Sequence, residues 1–326
     1  METAERSTKL APSIQVEDKE EQVLVGCLRK WRMVGKIGGG AYGYIYRAQH
    51  NLHCKLSVAV KVQRRSSGVD PRRIVQECKV MLALQDRPYM PKVYASGYDA
   101  STQLYFIVMQ LLSKSIIDFR HRSPYNRLSA GTSYRVAQQA LWALQDLHQF
   151  GYLHRDLKPS NMAMGVQEQN KRQLYLIDYG MVRQFKKCDG GLRSARQRGV
   201  AFRGTLRYVS LRVHDRHEYC PADDLWSLFY SMLECVKGSL PWRSITDYHQ
   251  VKTVKRELDL HKFCQRLPAE IEQFAEHLNT LDFGLTPDYQ LLASLLDRAI
   301  DSVGVSCNDP YDWELSRDDR MQDLCF

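Results

Sequence analysis

One short run constrains this chain more than any other: His154-Arg155-Asp156-Leu157-Lys158-Pro159-Ser160-Asn161. It follows a helical pattern and precedes a strand pattern, so it is a loop between elements. From Asp156 to Asn161 it packs a carboxylate, an ammonium and a carboxamide together. Pro159 keeps it out of a helix interior. Asp156 can accept a proton from an alcohol, Lys158 can sit on a phosphate in transfer, and Asn161 can hold a metal ion. A solvated polar connection is the plainer reading, and the flanking segments argue against it.

Upstream, residues 37–46 contain G-x-G-x-x-G-x-I at Gly38, Gly40, Gly43 and Ile45. Such glycines let backbone N–H groups close over phosphates. A dinucleotide-binding turn would open a helix next, whereas Tyr44-Ile45-Tyr46 is aromatic and β-branched and continues as a strand. That favours a hairpin lid over a nucleotide; a glycine-rich hairpin without a ligand stays open as the alternative. Val58-Ala59-Val60-Lys61 reads as a buried strand with one lysine, which either snorkels or pairs phosphates. Asp70-Pro71 starts a helix with Ile74, Cys78, Met81 and Leu82 as its apolar stripe. Glu77 lies beside that stripe. Alone it would be a solvated helix charge; as the partner of Lys61 it completes a two-part device.

Leu104 to Leu112 is an apolar strand running into a link, and Ser133 to His148 is an amphipathic helix that Gly151 can end. Leu174 to Ile177 is a buried strand closing on Asp178-Tyr179-Gly180. As the second strand of a hairpin after the loop, it would bring Asp178 to Asn161. Those two groups could hold Mg²⁺, with phosphate oxygens and water completing its octahedron; a strand-end Asp that only forms a turn is the alternative. Pro221 to Val236 is apolar on nearly every face, the pattern of a central buried helix. Asp223 and Asp224 open it as possible dipole partners. Thr286-Pro287-Asp288 caps a last helix through about Ile300.

Composition narrows the class. The 326 residues are 44% hydrophobic and 25% charged, an ordinary soluble mix. Met1 to Gln22 has no apolar signal core, and no run approaches a membrane span. The nine cysteines are odd in number and lack paired spacing, which argues for reduced intracellular thiols, in cytoplasm or nucleus, and against a disulfide framework or zinc site. Of the net charge of +9, most lies between Met181 and Ser210, where eight Arg and Lys face Asp189 alone. Acidic peptides or phosphate suit such a loop. Nucleic acid is the weaker alternative, since no zinc finger or RNA-binding motif is present.

These residues together resemble a eukaryotic protein kinase over Trp31 to Glu314, and Leu157-Lys158-Pro159-Ser160-Asn161 resembles the serine/threonine branch. The resemblance implies an α+β, two-lobed fold: a small β-rich lobe over about 29–109 and a larger helical lobe over about 110–315, with polar tails at 1–28 and 316–326. It implies Asp156 as base, Lys158 on the γ-phosphate, and Thr205 steadying both. ATP would lie against Ile37, Gly38, Gly40, Gly43, Ile45, Ala59 and Lys61, with Glu77 orienting the lysine. Met109, Gln110 and Leu112 would form the adenine hinge, with Met109 guarding the pocket. Asn161 and Asp178 would hold Mg²⁺, and Asp224 would brace the catalytic loop.

A narrower likeness is also present. Arg203-Gly204-Thr205-Leu206-Arg207-Tyr208-Val209-Ser210 and Gly238-Ser239-Leu240-Pro241-Trp242 resemble the casein kinase one superfamily. Phe202 to Thr205, Trp226 to Tyr230, Pro287 to Leu292 and Asp309 to Glu314 look most like tau-tubulin kinases. The usual A-P-E is missing, and the superfamily's S-I-N is altered to Ser210-Leu211-Arg212. The implied partners are protein substrates at acidic or phosphate-primed sites, cytoskeletal proteins among them. Arg203, Arg207 and Arg212, with Lys252, are candidates to bind the substrate anion. A scaffold that binds nucleotide without transfer is the rival reading, and the presence of Lys61, Asp156 and Asp178 argues against it.

Overall fold

The computed structural model describes residues 30–40, 43–53, 56–64, 70, 72–100, 102–187, 189–195 and 200–315. The two expected tails, the tip of the glycine hairpin at Ala41-Tyr42, and Arg196 and Arg198 lie outside them. Two compact units emerge. One holds the chain up to Ile74 together with Val93–Leu111; the other holds Val75–Lys92 and the chain from Leu112 on. The sequence boundary near residue 109 therefore differs in one respect: most of the helix Arg72–Ala83 packs with the larger unit.

The first unit is an antiparallel sheet of β1 (Trp31–Gly40), β2 (Gly43–His50), β3 (Ser57–Arg64), β4 (Val93–Asp99) and β5 (Leu104–Gln110), in the order β1-β2-β3-β5-β4. Successive side chains of a strand point to opposite faces. On β3, Val58, Val60 and Val62 join Trp31, Tyr46, Ala48, Leu104 and Val108 in one apolar cluster. Burying each such side chain stabilises the sheet by about 1.5–3 kcal/mol. Ala59 and Lys61 must then face the other way.

Register extends this division across the sheet. Gly38 lies opposite Ile45, Ile45 opposite Lys61, and Lys61 opposite Ile107. Ala59 pairs with Met109. Directly opposed residues share a face, so Gly38, Ile45, Ala59, Lys61 and Met109 line the surface remote from the apolar cluster. Gly43 closes the hairpin at φ +127°, where a Cβ would stand 2.1 Å from the Val62 carbonyl oxygen. At Gly38 a Cβ would meet only the Ile45 side chain at 3.8 Å, so packing does not demand a glycine there.

The helix Arg72–Ala83 buries Ile74, Glu77, Cys78, Val80 and Met81, and Leu84 is buried just past its end. Leu82, expected in the apolar stripe, is 51% exposed. The buried arc is centred one step round the helix from the expected one, with Glu77 inside it rather than at its margin.

The larger unit is built on Pro221–Lys237, buried on almost every face as its composition requires, and closed by Gly238 at φ +82°. Ala130–Gln149 packs beside it. Its N-cap Ser129 accepts from the Thr132 N–H at 3.2 Å. Asp312 takes the Ser129 N–H at 2.7 Å and the Thr132 hydroxyl at 2.6 Å, tying the chain's far end to this cap. Tyr289–Ser302, capped by Asp288, packs on Ala130–Gln149 and on Ala269–Asn279. No helix among the described residues is long and apolar enough to cross a membrane.

Gly43→Ala should destabilise the chain by about 1–3 kcal/mol, because both φ and the Val62 carbonyl exclude a side chain. Thermal unfolding checks this; an unchanged Tm would mean that the hairpin does not close against β3.

Candidate active site

Ala130–Gln149 ends at Phe150, and Gly151 turns the chain at φ +82° into the short strand Tyr152–Leu153. The run His154 to Asn161 follows, with Pro159–Asn161 as a single 3-10 turn before the strand Met162–Gly165. Proline at the first position of that turn loses no needed donor.

The backbone of this loop hangs on Asp224. Its carboxylate accepts the His154 and Arg155 N–H groups, each at 2.7 Å, and contacts His148 Nε2 at 2.9 Å. Two successive amides converging on one carboxylate make an anion nest, and Arg155 takes φ +65° in forming it. His148 Nδ1 meets the Tyr289 hydroxyl at 2.5 Å, so the ring links the last helix to the brace. Burial by itself would raise the Asp224 carboxyl. The His148 bond, the His148 and His154 rings and the Arg155 amide outweigh it and hold Asp224 below the ordinary carboxylate range. Arg155 Nε donates to the Met181 carbonyl at 2.7 Å, and its burial lowers the guanidinium to about 10.

Asp156 is buried and doubly engaged. Lys158 Nζ donates to Oδ2 at 2.7 Å, and the Thr205 hydroxyl donates to Oδ1 at 2.7 Å. Lys158 also reaches the Thr205 oxygen at 3.1 Å. Asn161 Nδ2 donates to the Asp156 carbonyl at 2.8 Å, which fixes the amide and leaves its oxygen on the opposite side. The strands Met162–Gly165 and Leu174–Leu176 pair with Met162 opposite Leu176, and the Ile177 N–H donates to the Asn161 carbonyl at 3.0 Å. The hairpin expected from sequence is thus formed, and it sets Asp178 next to that junction. Asp178 has φ +65° and heads the turn Tyr179–Met181. Tyr179 is fully buried, with its hydroxyl donating to the Leu176 carbonyl at 3.2 Å. Burial first, and then the charge of Glu77, raises its phenol.

The donor set fits a hard cation. Asn161 and Asp178 present oxygens, and no group of three or more His, Cys, Asp or Glu among the described residues could hold a metal alone. Magnesium takes few protein carboxylates and completes its shell with phosphate and water.

Beside the loop is a pocket of about 580 Å³, lined among others by Lys158, Thr205, Arg207, Arg243, His121 and Arg120, with no acidic residue in its wall. Of the arginines proposed for a substrate anion, only Arg207 lines it. Arg203 is exposed, its backbone held by the Tyr219 hydroxyl. Arg212 is paired with Asp282 and lies 3.7 Å from Asp223; Lys252 is paired with Asp215 at 2.7 Å. Sequence reasoning missed Arg243, and it missed Glu234. That carboxylate, fully buried, faces Arg120 at 3.6 Å, Arg207 at 3.2 Å and Arg243 at 3.9 Å, and accepts the Tyr208 hydroxyl. A charge inside a helix buried on all faces was the available signal.

In the smaller unit, Lys61 is 6% exposed, Ala59 and Met109 are buried, and Ile37 is exposed. Glu77, in the larger unit, is 3% exposed. Gln110 ends β5, and Leu112 opens the strand Leu112–Ser115.

Comparison with known proteins gives a consistent set. The protein kinase domain matches residues 31–298. A putative casein kinase I of Caenorhabditis elegans is 36% identical over 88% of this chain and 84% of its own length. A probable serine/threonine-protein kinase of Dictyostelium discoideum is 34% identical over 88% of this chain, which spans only 57% of that relative. A casein kinase I homolog of Saccharomyces cerevisiae is 26% identical over 98% of this chain and 59% of its own.

Asp224→Asn should cost about 3–5 kcal/mol at neutral pH, the usual loss when one partner of a buried charged network is removed. The folded carboxyl titrates below its free value of 3.8. Its contribution is therefore complete above that value and fades as pH falls through the lowered one. Urea unfolding at a series of pH values should show the two proteins converging in acid; a constant gap would refute the charged brace.

Proposed function

The chain belongs to the protein kinase family, on its serine/threonine, casein kinase I-like side, and from that premise we propose that it transfers the γ-phosphoryl group of ATP to serine or threonine hydroxyls of proteins. The observation that carries this reading is the engagement of both Asp156 oxygens by Lys158 and Thr205, two residues that line a basic pocket.

Asp156 accepts the substrate hydroxyl's proton, with Thr205 holding the carboxylate in one orientation. Lys158, held beside Asp156 and partly open to the pocket, places its positive charge where the γ-phosphate gathers charge. Asn161 and Asp178 would hold Mg²⁺, which would offset the phosphate charge when bound. The reading assigns Lys61 to the α- and β-phosphates, Glu77 to orienting it, and the backbone of Gly38, Gly40 and Gly43 to covering them. The open space at Gly38 supports this, because nothing in the packing otherwise calls for a glycine. Ile37, Ile45, Ala59, Met109, Gln110 and Leu112 would contact the base and sugar. Such catalysis is mostly positioning and electrostatics.

We place the chain nearest the tau-tubulin kinases within the superfamily, on the segments quoted above. Its substrates would be acidic or phosphate-primed proteins, because every titratable group in the pocket wall other than Tyr208 is basic or imidazole; cytoskeletal proteins among them would follow from the tau-tubulin likeness alone. Arg207, one-third exposed beside Glu234, is the residue assigned to the substrate anion. Free thiols at Cys78, Cys220, Cys235, Cys264 and Cys307 support an intracellular setting.

Asp156→Asn and Lys61→Met should each lower peptide phosphorylation by about 100-fold or more, with circular dichroism unchanged. Wild-type turnover by both would sink the assignment. Arg207→Ala should bring kcat/KM for a phosphoserine-primed peptide down toward that of its unprimed twin, a drop of about ten-fold for one charged hydrogen bond. No selectivity in the wild type, or none lost in the variant, would remove the anion site.

A further inference from the structure

The segment Thr205 to Val209 starts at the Asp156 carboxylate and forms one wall of the basic pocket, through Thr205, Leu206, Arg207 and Tyr208. Its main chain is held from behind. Lys255 Nζ donates to the Leu206 carbonyl at 3.1 Å and to the Val209 carbonyl at 2.6 Å. Between them, the Trp242 indole N–H donates to the Arg207 carbonyl at 2.8 Å.

Lys255 is an unusual lysine. It sits in the last turn of Tyr248–Arg256, where a basic residue would ordinarily serve the helix dipole from the surface. Instead it is 3% exposed. Around its ammonium lie those two carbonyls, the ring faces of Tyr230, 4.9 Å away, and Trp242, 5.1 Å away, and the His214 imidazole, on which its charge acts. Burial holds it well below the ordinary lysine range. A methionine of similar length would avoid the desolvation cost of a cation, but it would leave the two carbonyls without their donor. The two effects oppose each other, so stability by itself does not single out a lysine here. Its two donors do something an apolar chain could not: they set where two carbonyls of the pocket wall lie.

We propose that Lys255, with the Trp242 indole, is a positioning residue for the protein substrate, fixing the Leu206–Val209 main chain so that a peptide in the pocket presents its hydroxyl to Asp156. The inference rests on the kinase reading of that pocket. Lys255 is not among the residues that line it, so it acts through the segment and not by touching the substrate.

The test uses the full chain, ATP-Mg²⁺ and a peptide with one serine flanked by aspartates, and compares wild type with Lys255→Met and Lys255→Arg. Lys255→Met should lower kcat/KM for the peptide by about ten-fold, the scale of a small misplacement of the hydroxyl relative to Asp156. Its KM for ATP and its peptide-independent ATP hydrolysis should stay within about two-fold, since neither uses the peptide wall. Lys255→Arg, which keeps the donors, should recover most of the peptide kcat/KM. An unchanged peptide kcat/KM in Lys255→Met, or one that falls together with peptide-independent ATP hydrolysis, overturns the inference. Should that variant not fold, Trp242→Phe removes the indole donor together with part of a ring that lines the pocket, and an unchanged peptide kcat/KM there is equally fatal. A wild type that phosphorylates no peptide would instead defeat the kinase reading itself.

Discussion

The structure of the larger unit depends on one buried carboxylate. Asp224 stands at the start of a helix that water does not reach, and an ion placed there without partners would cost several kcal/mol. It finds three donors: the amides of His154 and Arg155 and the ring of His148. Satisfying them bends the chain at Arg155 into the left-handed region, at about 1–2 kcal/mol for a residue with a side chain. That bend carries the next residues, Asp156 to Asn161, out of the strand direction and across to Thr205. The strain and the buried charge are thus two halves of one arrangement, and the placement of Asp156 is its consequence.

A second layer of polar contacts then decides what lies around Asp156. Thr205 ties it to the segment Leu206–Val209. That segment is in turn pinned by Lys255, Trp242 and Glu234, through its carbonyls and through the Arg207 and Tyr208 side chains. Each of these groups is expensive to bury and each is matched by a partner. Polar networks of this kind specify geometry more than they add stability. The apolar faces of the central helix supply the bulk of the adhesion, and the network fixes which of many compact packings is adopted.

Much of this was legible along the chain. The β3 strand read correctly as Val58 to Lys61 because alternate valines mark a buried face, and the glycine hairpin read correctly because Tyr44 to Tyr46 continues as a strand. The strand ending before Asp178 and its pairing back to Asn161 followed from a short loop between two apolar runs. Where periodicity was applied to the edge of a face, it slipped: Leu82 was placed inside and is half exposed, while Glu77 lies within the buried arc. A helical stripe has no sharp margin in sequence, and the packing partner chooses which edge residue is covered.

By itself, then, the sequence determined the kinds of element, their order and the protein kinase resemblance, and it singled out Lys61, Asp156, Asn161 and Asp178 as candidates, because each is announced by neighbours within a few positions. Only the tertiary structure decided which charges face inward and with whom. Arg212 finds Asp282 seventy positions away, Tyr208 finds Glu234 across twenty-six, and Lys255 reaches back forty-nine to Leu206. Neither turn chemistry nor hydrophobic period encodes such distances. A buried charge reveals its partner only after the chain has closed around it, since it is the loss of water that makes the partner necessary.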